Sequence, residues 1–169
     1  PWHAAARLAE VYVFIFRSTP LLVQLFLIYY GLGQFPWIRE SWLWPVLREP
    51  YWCTVLALML NTGAYSSEIL RGGIQSVPVG QVEAARACGM SGIRLFRRII
   101  APLALRQALP AYGNEIILMV KASSLASTVT LLDITGLARK LISQTYAVFE
   151  IFLLAGALYL LINLVITRL

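Results

Sequence analysis

The apolar residues of this chain collect in four long stretches, at about 11–33, 51–70, 103–120 and 147–166. A helix needs roughly 20 mainly apolar residues to cross the hydrocarbon core of a bilayer. The last stretch is the most uniform, because only Glu150, Gly156 and Asn163 interrupt it. The pattern predicts an all-α, polytopic transmembrane helical bundle with about four membrane helices.

The first apolar stretch is broken by the polar run Arg17-Ser18-Thr19-Pro20. Serine and threonine cap helix N-termini, and proline suits the first position of a helix. We therefore expect an interfacial helix that ends near Phe16, followed by a transmembrane helix that begins at Pro20.

Composition agrees with a membrane protein. Charged residues make up 13% of the chain and hydrophobic residues 59%, whereas soluble domains average about 25% and 45–50%. This favours a membrane protein over a soluble helical core. Because the chain begins at Pro1 rather than methionine, we expect residues 1–169 to be a single transmembrane domain truncated at its N-terminus, with a preceding membrane helix missing.

The sequence carries no pattern for catalysis or metal binding. It lacks the G-x-x-x-x-G-K-[ST] loop that cradles nucleotide phosphates. Cys53 and Cys88 suggest neither a disulfide nor a metal site, and the single histidine, His3, has no candidate partner nearby in the sequence. We expect a protein that is not itself an enzyme and that binds no cofactor.

Charge placement predicts which loops face the cytoplasm. Six arginines and one acid, Glu83, lie between Arg71 and Arg106, while the 34–50 connection is balanced in charge and rich in tryptophan. The positive-inside rule places the first loop in the cytoplasm and the second outside. Arg139 and Lys140 depart from this pattern, so residues 124–140 are expected to be either re-entrant or an outer loop.

The polar segment at about 78–102 has its own periodicity. At 100° per residue, a stripe of small residues forms on the first half, and Ser91-Gly92 then breaks the helix. On the second half Arg94, Arg97 and Arg98 lie opposite an apolar face, and Pro102 allows a bend back into the membrane. The pattern predicts a helix–turn–helix on the cytoplasmic surface. The predicted stripe consists of Ala84, Ala85, Cys88 and Gly89.

Two interpretations of this segment remain open. It could dock a protein partner, or it could rest on lipid headgroups with its arginines neutralised by anionic lipid. The small stripe favours docking, because a helix resting on lipid gains from larger apolar groups.

The same residues resemble a known family motif. Glu83-Ala84-Ala85, Gly89, Ile99 and Pro102 have the spacing of the EAA loop of ABC-importer permeases, with Ala101 where the family has leucine. The flanking segments 16–24, 68–74 and 121–125 look like the polar amino acid branch. The segment 132–141 looks most like histidine, lysine/arginine/ornithine and opine permeases.

The resemblance implies a mechanism and partners. The EAA loop would form a coupling helix in a groove of a cytoplasmic ABC ATPase dimer, which would bind the ATP and magnesium. A second permease subunit, a paralogue or an identical copy, and a periplasmic substrate-binding protein would complete an importer in the bacterial inner membrane, with no nucleic acid as partner. The implied coupling residues are Glu83, Ala84, Ala85, Gly89, Ile99 and Pro102.

Polar groups at membrane depth are candidates for a substrate path, since such groups usually face a bundle interior or a water-filled cavity. Alternatively, Glu115 pairs with Lys121 or an arginine, and the hydroxyl groups, together with Asn61 and Asn163, join helices. An ion-coupled secondary transporter or channel that uses Glu68 and Glu115 as relays, or a membrane scaffold, remain alternative functions. The candidates are Glu68, Asn114, Glu115, Lys121, Ser123, Ser124 and Thr128.

Overall fold

Helices joined by short turns make up the described part of the chain. A computed structural model describes the backbone of residues 2–168 and the side chains of residues 4–168. The α-helices are α1 (Trp2–Ser18), α2 (Leu21–Phe26), α3 (Pro36–Arg39), α4 (Trp44–Leu47), α5 (Pro50–Gln75), α6 (Val79–Ala87), α7 (Gly92–Leu95), α8 (Ala101–Ala122), α9 (Ile134–Thr145) and α10 (Val148–Arg168). Wider or tighter helical turns extend three of them, at Leu27–Gly31 and Leu32–Gln34, Phe96–Ile100, and Ser123–Val129.

The first apolar stretch forms an elbow. The axes of residues 4–18 and 21–34 differ by 105°. Pro20 is extended at the corner, with φ −62° and ψ 135°, and a proline also keeps the preceding residue, Thr19, out of the α region. The predicted break is confirmed, with the first helix ending at Ser18 instead of near Phe16. That the first helix is interfacial stays a prediction.

Amide side chains hold the elbow against α5. Gln24, which is only 5% exposed, donates to the Phe16 carbonyl at 2.9 Å and the Thr19 carbonyl at 3.0 Å. Asn61 of α5 donates to the Phe16 carbonyl and to Gln24 Oε1, both at 3.1 Å. Asn61 is therefore a contact between helices, as predicted. Asn163 donates to the Tyr159 carbonyl of its own helix at 2.8 Å, and its buried Oδ1 has no partner among the described residues, so its predicted contact between helices stays a prediction.

Small residues bring α5 and α8 into close contact. A Cβ placed on Gly73 would lie 2.7 Å from the Ala104 carbonyl oxygen and 3.1 Å from Ala108 Cβ. Further along α5, Ala57 and Ala64 are completely covered. Small side chains are the usual means by which membrane helices approach one another.

The number of membrane helices depends on how bent segments are counted. By length and composition α10 alone can cross a bilayer, and up to three spans result if each of two bent helix pairs is one span. Helix α5 has 26 residues, enough to cross, but its composition is more polar because it contains Asn61, Glu68 and Arg71. The structure thus describes one to three such spans within residues 2–168, against about four expected from the sequence.

Residues 123–145 are packed helix rather than an exposed loop. The tight turn Ser123–Val129 places Val129, which is fully buried, against Leu25 and Ala57 in the central apolar cluster. Helix α9 follows at an angle of 47° to the preceding helix, across residues 130–133. The segment is therefore a bent pair of packed helices, and the two sequence alternatives, a re-entrant segment or an outer loop, remain predictions.

Candidate coupling loop and substrate path

The first half of the segment predicted to be a cytoplasmic loop is the short helix α6. It ends in a turn at Gly89, whose φ is +78°, a value that favours glycine. The N–H groups of Gly89 and Met90 donate to the carbonyls of Arg86 and Ala85, at 2.9 and 3.0 Å. Such bonds satisfy the last carbonyls of a helix, and they fix where α6 stops.

The predicted stripe of small residues is divided between two faces of α6. Ala84 and Cys88 are exposed, but Ala85 is 6% exposed and faces the rest of the chain. Helix α6 packs there against the turn Phe96–Ile100. Ala85 is therefore an internal packing residue, and the interpretation of all four residues as one exposed stripe was wrong.

A different set of small residues forms the outer face. Gly80, Ala84, Ala87 and Cys88 are all exposed and follow the i, i+4, i+7, i+8 pattern of a single helix face. Sequence reasoning missed Gly80 and Ala87, although extending the periodicity back to the start of α6 would have found them. Glu83 lies beside this face and is also exposed. We call Gly80, Ala84, Ala87 and Cys88 the small outer face.

The second half of the loop is not a separate surface helix. The chain is helical without interruption from Gly92 to Val129, so the helix continues through Pro102 and does not end there. The Ala101 N–H reaches the Phe96 carbonyl in a wide turn, which relieves the clash that proline otherwise makes with the carbonyl four residues earlier. Ile99 is half-buried in this turn and Pro102 is exposed.

Glu68 lies away from the other predicted path residues. Arg71 donates to its two carboxylate oxygens at 2.9 and 2.6 Å, and Arg17 of α1 lies 3.2 Å away. Arg17 also sits over the Tyr65 ring, 5.3 Å from its centroid. These groups line a cavity of about 670 Å³ between α1 and α5, which none of the other six predicted residues reaches.

Glu115 is buried on the face of α8 that packs against α5. Its side chain is 8% exposed, and the described residues place no cationic group within 4 Å of it. Lys121 is six positions further along the helix, about 240° around its axis, so it points elsewhere. The alternative that Glu115 forms an ion pair was therefore wrong. Asn114 and Lys121 are exposed.

The predicted hydroxyl groups bond within their own segment. Ser123, Ser124 and Thr128 donate to the carbonyls three residues earlier, at 2.7, 2.7 and 2.6 Å. These donated bonds stabilise the tight turn. Ser123 also lines a cavity of about 340 Å³, together with Thr54 and Asp133.

Asp133 is a polar residue that sequence reasoning missed. Its Oδ1 accepts from the Gly136 N–H at 2.8 Å and caps α9, while its Oδ2 accepts from the Tyr159 hydroxyl of α10 at 3.1 Å. The cap could have been predicted from the sequence, because aspartate is a preferred residue immediately before a helix, here the one that begins at Ile134. The hydrogen bond to α10 could not have been predicted, since Asp133 and Tyr159 lie 26 residues apart in the sequence.

Comparison with known proteins identifies the family. Residues 4–169 match the family of binding-protein-dependent transport system inner membrane components. The chain belongs to this family. It is a multi-pass inner-membrane permease component and not the ATPase, and the predicted family, fold class and localisation are confirmed.

Several relatives are close. The octopine transport system permease protein of Rhizobium meliloti is 63% identical over 95% of this chain and 66% of the relative. The histidine/lysine/arginine/ornithine permease of Salmonella typhimurium is 48% identical over 94% and 68%. A crystal structure of an amino acid ABC transporter with histidines matches with a TM-score of 0.83 at 39% identity, over 94% of this chain and 70% of that one. The chain thus spans about two thirds of the length of its relatives.

Proposed function

We propose that this chain is the translocating subunit of an ATP-driven importer for basic amino acids or opines. The observation that carries the proposal is its identity of 60–63% to permeases named for octopine and nopaline. Permeases named for arginine and for histidine, lysine, arginine and ornithine follow at 42–48%. The substrates in these names are amino acids or their derivatives, and most carry an additional basic group.

The proposed coupling element is the small outer face of α6 with Glu83. Small exposed side chains let a helix approach the floor of a groove closely, and Ala84, Ala87 and Cys88 are both small and exposed. Glu83 would add a polar anchor at the edge of the contact. Ala85, Ile99 and Gly89 would act indirectly, because they shape the loop that presents α6.

The proposed substrate path includes Glu115. Glu115 is only 8% exposed and has no cationic partner among the described residues, and a basic amino acid would supply the missing positive charge. Asn114, Lys121, Ser123, Ser124 and Thr128 remain candidates with local structural roles. For Glu68 the two arginines favour a structural role, because they already neutralise its carboxylate.

The complete importer tests the proposal. It would contain this permease at full length, a second permease subunit, its ATPase and a periplasmic binding protein, reconstituted in liposomes. ATP hydrolysis should rise with loaded binding protein, and labelled arginine or octopine should accumulate only with ATP. Uptake driven by an ion gradient without ATP would favour the secondary transporter, and ATPase binding without any uptake would favour the scaffold.

A further inference from the structure

A cavity of about 340 Å³ lies between the start of α5 and the corner that joins the turn Ser123–Val129 to α9. Five of its nine lining residues are apolar, and the four polar ones are Tyr51, Thr54, Ser123 and Asp133. Sites for small molecules commonly have volumes in this range, with mainly apolar walls and a few polar groups that orient the ligand. The polar groups of the wall therefore indicate which ligand would fit.

Two hydroxyl groups of the wall can act only as acceptors toward a ligand. Thr54 and Ser123 each donate their hydroxyl proton to a backbone carbonyl earlier in the chain, at 2.8 and 2.7 Å. A hydroxyl has a single proton to donate and two lone pairs that accept. Both oxygens thus favour a ligand group that brings its own N–H donors.

Asp133 adds a carboxylate that is held in place from two sides. Its Oδ1 accepts from the Gly136 N–H at 2.8 Å, and its Oδ2 accepts from the Tyr159 hydroxyl at 3.1 Å. A carboxylate has about four lone-pair sites, so about two are left over by these bonds. No basic side chain among those that the structure describes lies within 4 Å of it. The wall therefore carries a fixed negative charge without a basic partner.

The cavity lies along the same helix pair as Glu115. Glu115 shares a face of α8 with Ala104 and Ala108, which contact α5, and Ser123 follows it by eight positions, about 12 Å along the helix axis. Helix α6 lies at the other end of this pair, because it follows the C-terminal end of α5. If α6 faces the ATPase, the cavity is at the end of the pair where substrate arrives.

We propose that this cavity binds the cationic side chain of the incoming basic amino acid or opine before it reaches Glu115. The inference rests on the proposed function for its choice of ligand. A guanidinium group, which arginine and octopine share, has five N–H donors and no acceptor, so it matches a wall of acceptors with a negative charge. Citrulline has the same length as arginine but ends in a neutral group with a carbonyl acceptor, which this wall does not match.

Equilibrium binding of labelled arginine and citrulline tests the site. The full-length permease is purified in detergent with its partner permease and ATPase but without binding protein, so the assay is independent of ATP-driven uptake. Asp133→Asn removes the charge and keeps the helix cap, since asparagine caps as well as aspartate does. Loss of a hydrogen bond to a charged group should weaken arginine binding roughly 10- to 100-fold and hardly change citrulline binding. The same loss is expected in a Glu115→Gln background, because the two carboxylates bind in succession.

Two controls separate binding from a structural role. Tyr159→Phe removes the hydroxyl that holds Asp133 but no charge, and it should keep the preference for arginine over citrulline. Glu150→Gln removes an exposed acid in the first turn of α10 and should bind arginine as the wild type does. The proposal would be overturned by wild-type affinity in Asp133→Asn, by an equal loss of preference in Tyr159→Phe, or by the absence of saturable arginine binding to the wild-type complex.

Uptake by the reconstituted importer distinguishes failure of this site from failure of the proposed function. ATP-driven uptake of arginine, together with binding that ignores Asp133→Asn, would leave the importer intact and remove the site. Arginine binding that requires Asp133, in a complex that takes up no arginine with ATP, would keep the site and contradict the importer.

Discussion

Small residues occupy two helix faces of this permease, and only one of those faces is covered. Between α5 and α8, Gly73, Ala104 and Ala108 bring two backbones together inside the chain. On α6, Gly80, Ala84, Ala87 and Cys88 present a surface of small residues that nothing else in the described part of the chain covers. A small side chain gains little from exposure, but it permits close approach. The uncovered face is therefore the one for which we infer a partner.

The covered face should be the more sensitive to added volume within the chain. Gly73→Val would place a branched side chain on the Ala104 carbonyl and should cost about 3 kcal/mol of folding free energy, the upper end of the usual range for overpacking. Gly72→Val is a matched control one residue away, where nothing lies within 4 Å of an added Cβ. Thermal unfolding of the purified complex in detergent measures both. Equal destabilisation would mean that helix propensity, not close approach, explains the glycine.

The uncovered face should show the opposite behaviour. Ala84→Trp should leave insertion and unfolding temperature unchanged but weaken ATPase binding by about 2 kcal/mol, or thirtyfold, through steric exclusion from the partner. Ala85→Trp is the adjacent control, and because Ala85 is buried it should destabilise the permease itself. Titration of the ATPase subunit onto reconstituted permease gives the affinities. Full affinity in Ala84→Trp would contradict docking through this face.

The difference between Ala84 and Ala85 also shows how far the sequence could be interpreted. The elbow at Thr19-Pro20 follows from local chemistry, since proline restricts its own φ and its predecessor. The burial of Ala85 instead of Ala84 depends on where the turn Phe96–Ile100 packs against α6. The sequence of α6 by itself does not determine that packing. Pro102 predicts a bend by itself, yet the wide turn before it keeps the helix continuous. Contacts such as Asp133 with Tyr159 depend on packing between distant segments.

Glu115 is the exception on the covered face of α8, because it is a buried acid among small residues. If it contacts substrate, Glu115→Gln should lower uptake of arginine about tenfold, equivalent to roughly 1.4 kcal/mol, while ATPase binding stays unchanged. Glu150→Gln, an exposed acid in the first turn of α10, is the control and should transport normally. Labelled uptake at several arginine concentrations separates a change in KM from a change in kcat. Unchanged uptake in Glu115→Gln would remove this residue from the path.

The elbow contact with α5 offers the mildest test, because it uses amides instead of small side chains. Gln24→Leu removes the bonds to Phe16, Thr19 and Asn61 and should cost about 1 kcal/mol, near the middle of values for polar contacts between membrane helices. Asn61→Leu should cost a similar amount. Because the two amides bond each other at 3.1 Å, the double variant should be less destabilised than the sum of the single changes. Strict additivity in thermal unfolding would show that the elbow is held on α5 by packing and not by the two amides.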